Sequence, residues 1–237
     1  MTSIEPNAGD QGIPPDSHHN LVPGTLDQIF ADCLDRAEAH TEPYRHWVLT
    51  DALTSVAAHS IETLPIPVAA VEDTQGRRET HNESRNFFNP TNRRRFSVMD
   101  DVASMLQSPA TVDRIERNCD IDLQGSYLRI EYCQDTDGFW LEPHTDIAEK
   151  LFTMLIYLSS DPKSSDWGTD IYDENLEHLG TAPNQFNGGL IFIPGKNTWH
   201  GFRKRALGGI RKAIIVNYVK DDWRARHELS YPDQPIA

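Results

Sequence analysis

Four short apolar runs in the C-terminal half do most to limit what this chain can fold into. Residues 125–132, 151–158, 189–194 and 211–219 are rich in β-branched and aromatic side chains, with Gly, Pro, Asn and Asp between them. Such runs form strands rather than helices, and several in succession predict an all-β sandwich or barrel. Strand geometry also sorts the side chains by face. Tyr127, Arg129 and Glu131 share one face of the first run, and Leu128, Ile130 and Tyr132 the other. Arg211, Ala213, Ile215 and Asn217 share a face of the last, and Thr153 is the conspicuous polar residue of the second. A chain of 237 residues can bury one large β core and does not require two.

Between and within these runs lies a set of residues with metal chemistry. His144-Thr145-Asp146 is followed by a distal His200 and then by Arg211. On an extended strand His144 and Asp146 point the same way. Two imidazoles and one carboxylate occupy one face of an octahedral ion and leave three positions open, which suits non-haem Fe(II) holding an organic co-substrate and O₂ together. A guanidinium that keeps its charge is a good clamp for a carboxylate, and Arg211 reaches the same cavity if its strand face looks inward. The set predicts an oxygen-activating iron enzyme that uses 2-oxoglutarate.

From about Tyr127 to Val219 the chain resembles the Fe(II)/2-oxoglutarate-dependent dioxygenases, in the branch similar to prolyl 4-hydroxylases. The resemblance rests on His144-Thr145-Asp146, the strand Thr153-Met154-Leu155-Ile156-Tyr157-Leu158, the turn Trp167-Gly168-Thr169-Asp170, His200 and Arg211, in that order. It implies a mainly β fold with flanking helices, the double-stranded β-helix, a jelly roll of cupin-like type. It also implies iron on His144, Asp146 and His200, with 2-oxoglutarate paired to Arg211 and O₂ as second co-substrate. Hydroxylation of an unactivated C–H bond, with release of succinate and CO₂, is the implied reaction. Ala213 stands where many members carry Ser, so one co-substrate hydrogen bond is assigned to Tyr127 or Thr153. Asp146 argues against halogenation, because family halogenases have Gly or Ala at that point.

The expected substrate is a polar small molecule, an amino acid or sugar-like metabolite. Arg129, Glu131 and Asp170 on cavity-facing positions favour such a compound, and Trp140 is placed to stack on it. The stretch 72–95, polar and without a regular period, reads as a lid whose Arg77, Arg78 and Arg85 meet an anionic group. A peptide, protein or carrier-bound substrate is the alternative within this chemistry. A non-catalytic metal-binding jelly-roll protein is the alternative outside it, and Arg211 speaks against that reading because a structural site needs no carboxylate clamp.

A formal charge of −14 repels phosphate backbones and anionic membranes, so neither nucleic acid nor membrane is an expected partner. Arg93-Arg94-Arg95 interrupts the acidic background, as a solvated cluster paired with nearby acids or as a site for an anionic substrate. Cys33, Cys119 and Cys133 show neither metal spacing nor a disulfide framework, which fits a reducing, cytoplasmic setting. The N-terminus lacks a signal-peptide layout, and no apolar stretch approaches the length of a membrane span.

Residues 1–22 read as a flexible tail and 23–237 as one domain, with helical support over 23–124 and the β core over 125–220. Thr25 and Gln28 form a capping box for a first helix, with Leu26, Ile29, Phe30, Cys33, Leu34 and Ala37 as its buried stripe. Residues 47–49 look like a short strand, and 54–64 and 98–107 like helices. Ser108-Pro109 opens a further helix with an N-cap and a proline at its first position.

Overall fold

The computed structural model describes residues 24–78 and 85–237, so the expected N-terminal tail lies outside the described residues. The N-terminal half holds α1 (Leu26–Arg36), β1 (Glu38–His40), β2 (His46–Leu49), α2 (Ser55–Glu62), β3 (Asn86–Phe87), α3 (Pro90–Arg95), α4 (Ser97–Gln107) and α5 (Pro109–Cys119). The C-terminal half holds β4 (Tyr127–Asp135), β5 (Leu141–His144), β6 (Lys150–Tyr157), β7 (Asp170–Tyr172), β8 (His178–Thr181), β9 (Gly189–Phe192), β10 (His200–Phe202) and β11 (Arg211–Val219).

The strands form two antiparallel sheets, a larger one in the order β1-β2-β9-β6-β11-β4-β3 and a smaller one in the order β5-β10-β7-β8. The four apolar runs of the sequence become β4, β6, β9 and β11, all in the larger sheet. Their alternate residues serve two different purposes. Ile130, Tyr132, Met154, Ile156, Ile214, Val216 and Tyr218 point outward into one core with Phe30, Ile61, Val102, Leu106 and Ile115 of the helices. Each such aliphatic or aromatic side chain contributes about 1.5–3 kcal/mol on full burial. Tyr218 adds direction, its hydroxyl donating to Leu106 O of α4 at 2.6 Å. The opposite face of the same strands looks toward the smaller sheet and walls the cavity described below.

The helix starts follow from capping. Thr25, Thr54, Asn89 and Ser108 each accept a backbone N–H from the first turn of α1, α2, α3 and α5. The Thr25 capping box closes on one side only among the described residues, with Gln28 N–H donating to Thr25 Oγ1 while the Gln28 side-chain amide donates to Asp32. Phe30, Cys33 and Leu34 are the fully buried members of the α1 stripe.

The reading of 72–95 as one irregular stretch needs correction. Part of it, 79–84, lies outside the described residues, but 86–87 pair with β4 as β3, and 90–95 form α3. Asn89-Pro90 supplies the reason, an N-cap followed by proline at the first helical position. Arg93 on α3 is spent on Asp100, on Ser230 O and on the ring of Tyr231, so it takes the paired reading of the arginine cluster.

Candidate active site

His144 ends β5, and His200 begins β10 directly opposite it in the antiparallel register. Two distant stretches of sequence thereby place their imidazoles side by side, with ring centroids 4.4 Å apart. Asp146 lies just beyond the end of β5, so the expectation that both residues of the motif sit on one extended strand is corrected. The chain turns at residues 148–149, and Lys150 and Thr153 of β6 hold the carboxylate. Lys150 Nζ donates to Oδ1 at 2.5 Å and Thr153 Oγ1 to Oδ2 at 2.6 Å. One ligand atom from each of His144, Asp146 and His200 lies within 4.8 Å of the others.

The protonation states suit a divalent cation. His144 Nδ1 lies 2.8 Å from Glu142 O, and His200 Nδ1 lies 2.9 Å from Thr198 O. A carbonyl accepts only, so each Nδ1 carries a proton and Nε2 is the nitrogen left to face a metal, the arrangement that fixes a histidine for metal ligation. Burial, reinforced by the neighbouring His144, lowers the His200 pKa to about 4, so it is neutral near pH 7. Burial on its own would raise the Asp146 pKa, but Lys150, His200 and the Thr153 hydrogen bond outweigh it and keep the carboxyl ionised. Two imidazoles and one carboxylate on one side of an open space fit a six-coordinate divalent ion with exchangeable positions.

These residues line a cavity of about 520 Å³ between the two sheets, with Arg211 in the same wall. Arg211 is buried, donating from Nε to Trp167 O at 2.7 Å and from Nη1 to Asp135 at 2.6 Å. Nη2 has no partner among the described residues. Phe139, Phe202, Leu155 and Ile215 supply the apolar part of the lining.

The far side of the cavity is ionic. Arg129 pairs with Glu131 at 2.7 Å and with Glu228 at 2.6 Å, and Arg85 reaches Glu131 at 3.0 Å. Arg78 pairs with Asp135 at 3.2 Å. Burial by itself opposes charge on Glu131, yet the guanidinium groups of Arg129, Arg78 and Arg85 hold its pKa well below the carboxylate range. Arg129 and Glu131 therefore line the cavity as the strand-face pattern suggested, and Arg85 of the stretch read as a lid joins them, with each other as partners. Trp223 and Glu228, from the segment after β11, complete this wall. No strand pattern marks that segment, and sequence reasoning passes over it.

The other predicted residues are engaged differently from expectation. Tyr127 is outside the lining, with the Arg226 guanidinium over its ring at 3.9 Å. Thr153 is in the lining, but its hydroxyl is directed to Asp146. Trp140 is outside the lining, with its indole N–H on Asp73 at 2.6 Å. Asp170 is fully buried and accepts from Thr181, Arg205 and the Arg203 N–H, which makes it a brace within the smaller sheet.

No family model matches the chain, and no curated protein matches it. Solved structures do. A prolyl hydroxylase from Trichoplax adhaerens, in complex with a hypoxia inducible factor oxygen degradation domain peptide fragment, superposes with a TM-score of 0.55 at 14% identity, over 84% of this chain and 91% of that one. A Pseudomonas putida prolyl-4-hydroxylase gives 0.51 at 12% identity over 85% and 97%. The viral collagen prolyl hydroxylase of Paramecium Bursaria Chlorella virus-1 gives 0.50 at 12% identity over 89% and 100%. This chain has the prolyl-hydroxylase-like double-stranded β-helix fold. At these identities the likeness is one of fold, and the chemistry rests on the side chains described above.

Proposed function

We propose that this protein is an Fe(II)- and 2-oxoglutarate-dependent dioxygenase that hydroxylates a C–H bond of a polar small molecule. The observation that carries the reading is the convergence of His144, Asp146 and His200 in one cavity with the buried Arg211. A structural metal site would close its coordination with a fourth protein ligand. Among the described residues only these three form such a group.

Bound Fe(II) supplies O₂ activation, with the oxidation of 2-oxoglutarate to succinate and CO₂ providing the electrons for hydroxylation. The chain supplies the rest. His144 and His200 present Nε2 lone pairs, and Asp146 presents an ionised carboxylate. Arg211, with the rings of Phe139 and Phe202 beside its guanidinium, would hold the distal carboxylate of the co-substrate and shield it from water. Water exclusion of this kind strengthens the ion pair and limits side reactions. Arg129, Glu131, Arg85 and Trp223 face the substrate, and paired charges of both signs suit a zwitterionic or multiply hydroxylated metabolite. The three cysteines are free and buried, which supports an intracellular setting. No helix among the described residues is long and apolar enough to cross a membrane.

The peptide bound to the Trichoplax enzyme keeps a peptide substrate as the second reading. Anaerobic titration with Fe(II) and then 2-oxoglutarate should produce a visible charge-transfer band, lost in His144→Ala and Asp146→Ala. A screen of metabolites and of peptides for stimulated succinate release then separates the two substrate classes. Without the band in the unmodified protein, the dioxygenase reading fails.

A further inference from the structure

One row of side chains crosses the cavity face of the larger sheet in strict register. Thr153 of β6 lies opposite Asn217 of β11, and Asn217 lies opposite Arg129 of β4. The three are joined by hydrogen bonds that all run the same way. Arg129 Nη1 donates to Asn217 Oδ1 at 3.1 Å, Asn217 Nδ2 donates to Thr153 Oγ1 at 2.9 Å, and Thr153 Oγ1 donates to Asp146 Oδ2 at 2.6 Å. Arg129 Nε and Nη2 are meanwhile fixed on Glu228 and Glu131. The two links through Asn217, itself at 0% exposure, are buried, so water does not substitute for either, and the Thr153–Asp146 link at the cavity is partly buried.

The polarity of this chain has one solution. A guanidinium only donates, so the Asn217 oxygen must face Arg129 and its NH₂ must face Thr153. With that NH₂ donating to its oxygen, the single Thr153 hydroxyl proton is left for Asp146. Asn217 lies outside the cavity lining and touches neither Asp146 nor the histidines. We propose that Asn217 is a positioning residue for the metal carboxylate. Through Thr153 it fixes the donor to Asp146 Oδ2, which together with Lys150 on Oδ1 orients the carboxylate, and through Arg129 it ties that orientation to the ion cluster on the substrate side. The proposal rests on the metal-site reading of His144, Asp146 and His200.

Asn217→Asp tests it at constant shape. A carboxylate at that position still accepts from Arg129 but cannot donate to Thr153, so the Thr153 proton turns toward it and Asp146 Oδ2 loses its donor, leaving Lys150 on Oδ1. The added negative charge acts through space in the opposite sense, favouring a cation. Thr153→Val separates the two effects, since without the hydroxyl only the charge effect is left.

Co(II) binding to the apoprotein, followed by visible ligand-field absorption and titration, reads both affinity and geometry without turnover. Loss of an outer hydrogen bond to a metal ligand weakens affinity by about 10–100-fold. N217D should therefore weaken Co(II) binding by about tenfold more with Thr153 present than in the T153V background, and should shift the absorption bands only with Thr153 present. Equal effects in the two backgrounds overturn the proposal. Should N217D not fold, T153V alone should weaken Co(II) about tenfold or more while Thr153→Ser restores it. A T153V protein that binds Co(II) like the unmodified one overturns the proposal too. Unmodified protein that binds no Co(II) refutes instead the metal-site reading beneath it.

Discussion

Arg211 carries a full charge at 4% exposure, and its position across the register from Asp135 explains how that is tolerated. Asp135 has a second cation in Arg78, so removing Arg211 does not leave that carboxylate unpaired. The burden of Arg211→Ala should fall on the co-substrate, whose distal carboxylate would lose its buried partner. Breaking one side of such a pair costs about 3–5 kcal/mol, which is upward of a hundredfold in apparent 2-oxoglutarate KM. Co(II) affinity should stay within about threefold, because Arg211 touches none of the metal ligands. Arg211→Lys keeps the charge but loses the planar fork that spans Trp167 O and Asp135, and should fall between the two. Titration of 2-oxoglutarate against succinate release, beside a Co(II) titration, checks both halves. An unchanged KM moves the clamp to another cation, with Arg129 the next to test.

Elements differ in how much of themselves they wrote into the sequence. The four apolar strands and the helices capped by Thr25, Thr54 and Ser108 were legible, since each has either a long periodic run or a side-chain cap. Strands β5, β7 and β10 were not, because Leu-Glu-Pro-His, Asp-Ile-Tyr and His-Gly-Phe are too short to show alternation. Two of those strands carry the histidines, so the ligands were legible as a motif while their elements were hidden. Thr153, Asn217 and Arg129 could each be placed on a strand face. Their joining into one row depends on inter-strand register, which the pairing of distant segments sets and no single segment encodes. Backbone crowding was hidden for the same reason. A Cβ built on Gly189 at the start of β9 would lie 2.2 Å from Leu155 O of β6, whereas one on Gly180 of β8 meets nothing within 4 Å. Gly189→Ala should therefore cost about 1–3 kcal/mol or more through forced backbone shifts, while Gly180→Ala should stay within about 0.5 kcal/mol. Urea unfolding of the two variants decides it, and equal midpoints would show that the β6–β9 contact yields easily.

At the scale of the whole molecule, two opposing electrostatic effects meet as pH falls. The net charge of −14 makes the folded chain repel itself, so protonating surface carboxylates first relieves strain on the compact state. The buried cluster works the other way. Glu131 is 2% exposed, and although burial disfavours its charge, Arg129, Arg78 and Arg85 hold its folded pKa well below the unfolded value of 4.5. The unfolded chain therefore takes up this proton before the folded one does. The stability that Glu131 contributes is complete above about pH 4.5 and declines as pH falls below it toward the folded pKa. Glu131→Gln removes that titration and leaves Arg129 and Arg85 short of a counter-charge, at a cost of about 3–5 kcal/mol near pH 7. The gap between the two proteins should be widest at neutral pH and should narrow steadily below pH 4.5, as the unmodified protein loses what the variant never had. Taking the difference cancels the surface carboxylates, which titrate alike in both. Urea unfolding at about pH 7, 5 and 3 measures that gap, and a gap of constant width would mean that Glu131 is not held ionised by the arginines around it.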